Sequence, residues 1–174
     1  TNILEIGCGQ GRDSIFFASF MDSVTSFDIS EKAIKYVEKI KNEKNLLNLE
    51  LFVHDIRKPL DFPKRKFKMI YSNLALQFFN ELQLENIFEN IFNIMEKDSY
   101  FLFSTKKPGD KYHNFGKKLT NHSFEHKNIT RFFFDKEKLE NILQKKFSII
   151  SFEDDCHTNP DNTVSAWWKI LVKN

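Results

Sequence analysis

Ile3-Leu4-Glu5-Ile6-Gly7-Cys8-Gly9-Gln10-Gly11-Arg12-Asp13 reads as an apolar strand ending on an acid, three glycines at alternate positions, and the start of a helix. Glycine tolerates positive φ and has no Cβ to hold a ligand off the main chain, and the helix that follows presents N–H groups with no intrahelical partner. The loop is therefore a docking surface for a nucleotide-like cofactor. Its spacing separates two classes. A dinucleotide fingerprint, G-x-G-x-x-G, would place its third glycine at position 12. Arg12 stands there, and the third glycine is Gly11.

Outward from this loop, strand-like and helix-like stretches alternate, which predicts a mostly parallel sheet with helices on both faces. The first strand is read at 2–5, the first helix from near Gly11 to Phe20 with Ile15, Phe16 and Ala18 apolar, and the second strand at 24–27, ending on Asp28. Ser30 reads as the N-cap of a helix over 31–44 with Ala33, Ile34, Val37 and Ile40 as its buried stripe. Strands at 49–53 and 67–73, a helix over 81–95 and a fifth strand at 100–105 follow. Pro108-Gly109-Asp110 breaks the pattern, and the polar stretch from there to about Thr130 is long for a structureless connection; it reads as a lid or substrate loop. Asp135 caps a helix to about Lys145 with Leu139, Ile142 and Leu143 inward, and 147–152 with 164–172 reads as a closing antiparallel hairpin around the polar loop 154–163.

The chain of 174 residues fits one domain, and 41% hydrophobic residues with 20 Phe argue for a globular protein over a disordered one. No apolar run approaches the roughly 20 residues of a membrane span, so a soluble, cytoplasmic protein is expected. Two cysteines, Cys8 and Cys156, are too few and too far apart for a disulfide framework or a zinc cluster, and the five His residues form no H-E-x-x-H motif. No metal site is expected. Cys8, between two glycines, reads as a small packing residue in preference to a reactive thiol.

Charge is nearly balanced at 26 basic and 24 acidic residues, but it is uneven. Lys106, Lys107, Lys111, Lys117, Lys118, Lys127 and Arg131 face only Asp110 and Glu125 over 106–131, a net +5 that can attract an anion. Arg57, Lys58, Lys64, Arg65, Lys66 and Lys68 form a second run opposed by Asp61. The bland reading of both, a solvated face, is the favoured one. Asp28, 17 residues after Gly11, can accept two hydrogen bonds from ribose hydroxyls, or can simply turn the chain before Ser30.

Taken together, Glu5-x-Gly7-x-Gly9-x-Gly11, Asp28 and Asp55-Ile56 resemble the motifs of the class I S-adenosylmethionine-dependent methyltransferases, in register along the chain. The resemblance implies a Rossmann-like seven-stranded sheet of order 3-2-1-4-5-7-6 with strand 7 antiparallel. It implies that Glu5 and the turn Gly7-Cys8-Gly9-Gln10-Gly11 face the methionine part of S-adenosylmethionine, that Asp28 binds the ribose and that Ile29 lies on the adenine. Asp55 would accept the adenine amino group and the Ile56 backbone N–H would meet the ring. Ser72, Asn73 and Leu74 would flank the methionine part and the transferable methyl. The family also carries a helical segment before its first strand. Here Thr1 nearly opens that strand and no initiator Met precedes it, so a single domain over 1–174 lacking that segment is expected.

The run Asp55…Pro59-Leu60-Asp61-Phe62…Phe67-Lys68-Met69-Ile70-Tyr71-Ser72 is similar to small-molecule methyltransferases, with Lys68 where the family commonly has Asp. Gly7 to Ser14, Arg131-Phe132-Phe133-Phe134-Asp135 and Trp167-Trp168-Lys169-Ile170-Leu171-Val172 most resemble the tellurite-resistance-type and thiopurine-type members. A small-molecule acceptor, anionic or thiol-like, is the partner this implies. Methyl transfer from a sulfonium needs alignment and desolvation, and a base only when the nucleophile carries a proton. No catalytic residue is therefore assigned; His113, His122, His126, His157 and Arg131 lie on segments able to cover the methyl. Three alternatives stay open. A nucleic-acid methyltransferase would use the basic runs with Tyr112, Phe115 and Phe124 as stacking contacts, though Asn73 is followed by Leu-Ala-Leu and not by Pro-Pro-aromatic. A nicotinamide oxidoreductase is opposed by Arg12 and by the lack of any Tyr with Lys four residues later. A cofactor-binding module without an acceptor site is the last.

Overall fold

The computed structural model of the protein describes residues 1–60 and 65–174; the expectations at Asp61, Phe62 and Lys64 lie outside the described residues. In chain order the elements are β1 (Asn2–Ile6), α1 (Arg12–Ala18), β2 (Ser23–Asp28), α2 (Glu31–Glu43), β3 (Leu49–Val53) and β4 (Phe67–Asn73). A short 3-10 turn, Leu76–Phe78, leads to α3 (Glu81–Ile94) and β5 (Met95–Lys106). The rest is β6 (Lys117–Thr120), β7 (Ser123–His126), β8 (Ile129–Phe132), α4 (Lys136–Leu143), β9 (Ser148–Thr158) and β10 (Val164–Lys173).

Seven strands form one sheet in the order β3-β2-β1-β4-β5-β10-β9. The pairings β2–β3, β1–β2, β1–β4 and β4–β5 are parallel, and β10 runs antiparallel to both β5 and β9. This is the expected order, renumbered because three strands intervene before the closing hairpin. Alternation along the strands sends side chains to two cores. On one face Leu4, Ile6, Ile70, Phe101, Phe103, Ile170 and Val172 pack against Leu84, Ile87, Phe88 and Ile91 of α3 and Leu139, Ile142 and Leu143 of α4. On the other, Ile3, Val24 and Leu49 pack against Ala18 of α1 and Val37 of α2. Helices thus cover both faces, and the carboxyl ends of the parallel strands β1, β2, β3 and β4 converge on one edge.

Local chemistry explains the boundaries. The Ser30 hydroxyl accepts from Ala33 N at 3.2 Å and Asp135 accepts from Lys138 N at 2.9 Å, so both predicted caps form. Ile34 and Val37 are buried on α2, with Ala33 and Ile40 at the edges of that stripe.

Three regions differ from the sequence reading. β5 begins at Met95, five residues early, because the chain extends directly from the end of α3; the register jumps between Phe67 and Met69, with Asp98 at φ 56° making the irregular corner. The stretch predicted as a lid or loop, 108–130, holds a three-stranded antiparallel meander, β6-β7-β8. Its second turn places Lys127 and Asn128 at φ 52° and 61°, the paired positive φ values of a two-residue hairpin, and Phe124 and Phe133 bury between the meander and His113. The closing hairpin is also longer than predicted, leaving only 159–163 as its loop, where Asn159 Nδ2 donates to Thr163 O at 3.0 Å.

Candidate cofactor and acceptor site

The glycine loop leans on the tip of the neighbouring strand. Gly7 N and Cys8 N both donate to Phe27 O, at 2.9 and 3.0 Å, and Gly11 N donates to Cys8 O at 2.8 Å. Two of its glycines are required by close approach. At Gly7, φ +73°, a Cβ would sit 2.4 Å from the Ala75 Cβ, and at Gly11, φ +72°, it would sit 2.5 Å from Val37. Gly9 has no atom within 4 Å of that position, so its bare face looks into open space. Its N–H donates to Asp28 Oδ2 at 2.9 Å, while Ser30 N donates to Oδ1 at 2.8 Å. These two bonds fix the Asp28 carboxylate and leave lone pairs on each oxygen.

Two cavities open along the strand ends. The first, about 400 Å³, is mainly apolar: Phe27, Ile29, Ile56, Leu74, Leu76, Phe78 and Phe79 line it with Asp28, His54, Asp55 and Arg57. The second, about 510 Å³, is lined by Glu5, Gly7, Cys8, Gly9, Gln10, Arg12, Asp13 and Asn73. Gly7 and Asn73 belong to both. The two spaces therefore meet where β1 and β4 end, one suited to a flat apolar group with hydroxyls and the other to a small zwitterion.

The polar cavity carries an unusual charge arrangement. Glu5 is 3% exposed, and the hydroxyls of Ser14 and Ser26 both donate to its Oε2, the latter at 3.1 Å. Burial raises its pKa to about 7, assisted by Asp13 and Asp28 and opposed by the two serines. Asp13 accepts from the Tyr71 hydroxyl at 3.1 Å and from Asn73 Nδ2 at 3.5 Å. Burial and the Asp13 charge push the Tyr71 phenol above its ordinary pKa, so it stays a donor. Two carboxylates thus point at one small space, an arrangement that favours a cationic ligand group. Burial likewise pushes the Cys8 thiol up to about 12, which keeps it protonated and unreactive.

The apolar cavity is guarded at its rim. Arg57 clasps Asp55 with Nε at 2.9 Å from Oδ1 and a terminal nitrogen at 2.6 Å from Oδ2, and its backbone N–H donates to Oδ1 at 3.0 Å. These bonds, the side-chain ones foremost, hold the Asp55 carboxyl below its ordinary pKa. Beside it, His54 Nε2 is buried with no hydrogen-bond partner among the described residues. At the end of β4, Leu74 sits at φ 53°, uncommon for a branched side chain, and is held there by Ser104, whose Oγ accepts from Leu74 N at 3.0 Å and donates to Asn73 Oδ1 at 2.6 Å.

Of the positions singled out from sequence, Glu5, Gly7, Cys8, Gly9, Asp28, Ile29, Asp55, Ile56 and Asn73 line one or both cavities. Gly11 and Ser72 line neither: Gly11 faces Val37, and the buried Ser72 hydroxyl donates to Ile6 O at 3.1 Å, tying β4 to β1. His122 and His126 stand four apart at β7 but part company, the first against Phe134 and the second against Phe115. Among the described residues no group of His, Cys, Asp and Glu is arranged to hold a metal. Sequence reasoning passed over Asp13, His54, Arg57 and Phe78. Asp13 had a signal, an acid in the first turn of the helix that follows a glycine loop.

A sequence profile described as "Methyltransferase domain" matches residues 1–147. The chain belongs to the methyltransferase domain family. Its relatives include proteins named as S-adenosylmethionine-dependent methyltransferases. It is 29% identical over 89 residues to "Probable S-adenosyl-L-methionine-dependent methyltransferase TehB" of Haemophilus influenzae, a match covering 51% of this chain and 30% of the relative. It is 26% identical over 104 residues to "Phosphoethanolamine N-methyltransferase 3" of Arabidopsis thaliana, covering 59% of this chain and 21% of that protein. The matches thus span less than a third of each relative's length. A methyltransferase structure from Methanosarcina mazei superposes with a TM-score of 0.83 at 19% identity, covering 99% of this chain and 92% of the other, and that likeness speaks for the fold.

For a methyltransferase domain of this class, the donor set fits the family's cofactor. A loop glycine open to the cavity, a fixed carboxylate beside it and the buried Glu5 with the half-buried Asp13 suit a ribose and an ammonium, and the neighbouring apolar slot suits a purine. No helix among the described residues is long and apolar enough to cross a membrane.

Proposed function

We propose that the chain binds S-adenosylmethionine across the two cavities and passes its methyl group to a small-molecule acceptor. The observation that carries this reading is the meeting of an apolar and a polar cavity at Gly7 and Asn73. When bound, the cofactor supplies an electrophilic methyl on a sulfonium; the acceptor atom gains the carbon, and the departing sulfur keeps the electron pair of the broken bond. Everything else falls to the chain. Asp28 accepts from the ribose hydroxyls with the lone pairs its two backbone bonds leave free. Ile29, Ile56 and Phe79 wall the purine, and Asp55 turns from Arg57 to the adenine amino group. Glu5 and Asp13 face the ammonium of the amino-acid end. Asn73, held by Ser104 and Asp13, lies at the junction where the methyl is presented, and in-line transfer then rests on alignment and exclusion of water.

A small-molecule acceptor is supported by the size of the apolar cavity, about 400 Å³, and by the likeness to a protein named as a phosphoethanolamine N-methyltransferase. The basic run over 106–131 is also less available than its composition suggests. Lys106 is buried against Asp110 and Lys107 pairs with Asp154.

Titration calorimetry with S-adenosylmethionine, S-adenosylhomocysteine and NAD tests the reading. The first two bind with one site per chain and NAD gives no heat. Binding of NAD in preference to both would return the fold to a dinucleotide role.

A further inference from the structure

Removing the paired cations from the basic segment leaves two that converge. Asp110, fully buried, accepts from Lys106 Nζ at 2.5 Å, from Ala166 N at 2.9 Å and, through its other oxygen, from Tyr112 N at 3.0 Å. Lys111 N donates to Val164 O at 2.7 Å. This knot ties the 110–112 corner to the start of β10 and sets Tyr112 in place. Over its ring lie two cationic heads: the Arg131 guanidinium carbon 4.4 Å from the ring centre and Lys111 Nζ 5.6 Å from it. The same guanidinium lies 5.9 Å from the ring of Phe78, a wall of the apolar cavity. Among the described residues neither head has a carboxylate within ion-pair distance; Lys111 senses Asp161 only at longer range.

A guanidinium stacked on an aromatic face keeps its N–H edge free, and that edge matches the oxygens of a carboxylate or phosphate. Two cations gathered at one ring with no carboxylate partner among the described residues raise the local positive potential, and an anion held beside them lowers it. The aromatic faces of Tyr112 and Phe78 give an adjoining carbon skeleton something to lie on.

We propose that Arg131 and Lys111, gathered on Tyr112 beside Phe78, form a docking site for the carboxylate or phosphate of an organic acceptor. The anion stays at the cavity mouth while a separate nucleophilic atom of the same molecule reaches the methyl. This rests on the reading of the cavity as a methyltransferase site and names the acceptor class. It differs from a bare oxyanion acceptor, in which charge and nucleophile are one group.

The test is binding of inorganic phosphate and of phenyl phosphate, followed by NMR shifts and calorimetry, with and without S-adenosylhomocysteine. Phenyl phosphate binds at least threefold tighter than inorganic phosphate. Arg131→Gln weakens both at least tenfold, Lys111→Met weakens them several-fold, and Lys127→Gln, an exposed charge on the β7–β8 turn, changes neither. S-adenosylhomocysteine affinity stays within twofold in the Arg131 variant, which also shows that it is folded. Unchanged phosphate affinity in Arg131→Gln, or an equal loss in Lys127→Gln, would overturn the site. Equal affinity for the two phosphates would overturn its organic part. Failure of S-adenosylhomocysteine to bind while the anion results hold would instead strike the cofactor reading.

Discussion

Glu5→Gln separates what the fold needs from what the ligand needs. In the folded chain Glu5 has a pKa near 7, against 4.5 for an unperturbed glutamate, and burial is the main cause. Between those values the unfolded chain has already lost the proton while the folded chain retains it, so stability falls as pH rises from 4.5 to 7 and is flat above. At 1.36 kcal/mol per pH unit, the charged carboxylate costs the fold on the order of 3 kcal/mol at pH 8. Glutamine keeps an acceptor oxygen for Ser14 and Ser26 without the charge. Glu5→Gln should therefore be nearly neutral at pH 4.5 and stabilising above pH 7, raising Tm there by about 6–12 °C for a domain of this size. Affinity for S-adenosylhomocysteine should move the other way. The variant loses a charge facing the ammonium, and wild-type affinity climbs as pH rises toward 7, with proton release visible in buffers of different ionisation enthalpy. Thermal melts from pH 4.5 to 8.5 and calorimetry at matched pH read both effects. A Tm difference independent of pH, or a variant that binds as well as wild type at pH 8, refutes the reasoning.

Arg57→Ala frees the Asp55 carboxylate, and because the exposed ion pair it removes is worth only about 0–1 kcal/mol, S-adenosylhomocysteine should bind up to about fivefold tighter in calorimetry with little change in Tm. Gly11→Ala drives a methyl into Val37 and adds strain at φ +72°, so it should cost about 2 kcal/mol or more in denaturant melts; Val37→Ala in the same chain should recover part of that loss, a coupling absent if Gly11 serves the ligand directly. Asp110→Asn leaves Lys106 buried without its counter-charge and should cost about 3–5 kcal/mol, read as a lowered urea midpoint.

Elements governed by local chemistry were legible in the sequence. The Ser30 and Asp135 caps and the apolar periodicity of α3 and α4 follow from spacing and side-chain type, while the strand order came from the resemblance to the methyltransferases. The meander was not legible, because β6 and β8 are only four residues each, β6 is exposed throughout and β8 is nowhere fully buried, so neither shows a clear alternation beside the turn residues around them. Phe124 and Phe133 bury only through contacts that the fold itself creates.

The site divides in the same way. Glycines and acids at strand ends announce a cofactor loop, and nine of the eleven positions read from sequence line the cavities. Gly11 faces Val37 and Ser72 bonds to Ile6 O, outside both cavities, and a glycine needed for close packing and one needed for a ligand look alike in one dimension. Arg57 and Arg131 read as members of basic runs. Only the three-dimensional pairing shows that the first is held by Asp55 while the second rests on aromatic rings with no carboxylate partner among the described residues.

The account stands or falls on where the cofactor's sulfur sits. A crystal structure of the chain with S-adenosylhomocysteine should place the sulfur between Gly7 and Asn73, the adenine between Ile29 and Ile56 with its amino group on Asp55, and the ammonium toward Glu5 and Asp13. A ligand confined to one cavity, or one that leaves Gly7 and Asn73 untouched, would contradict it.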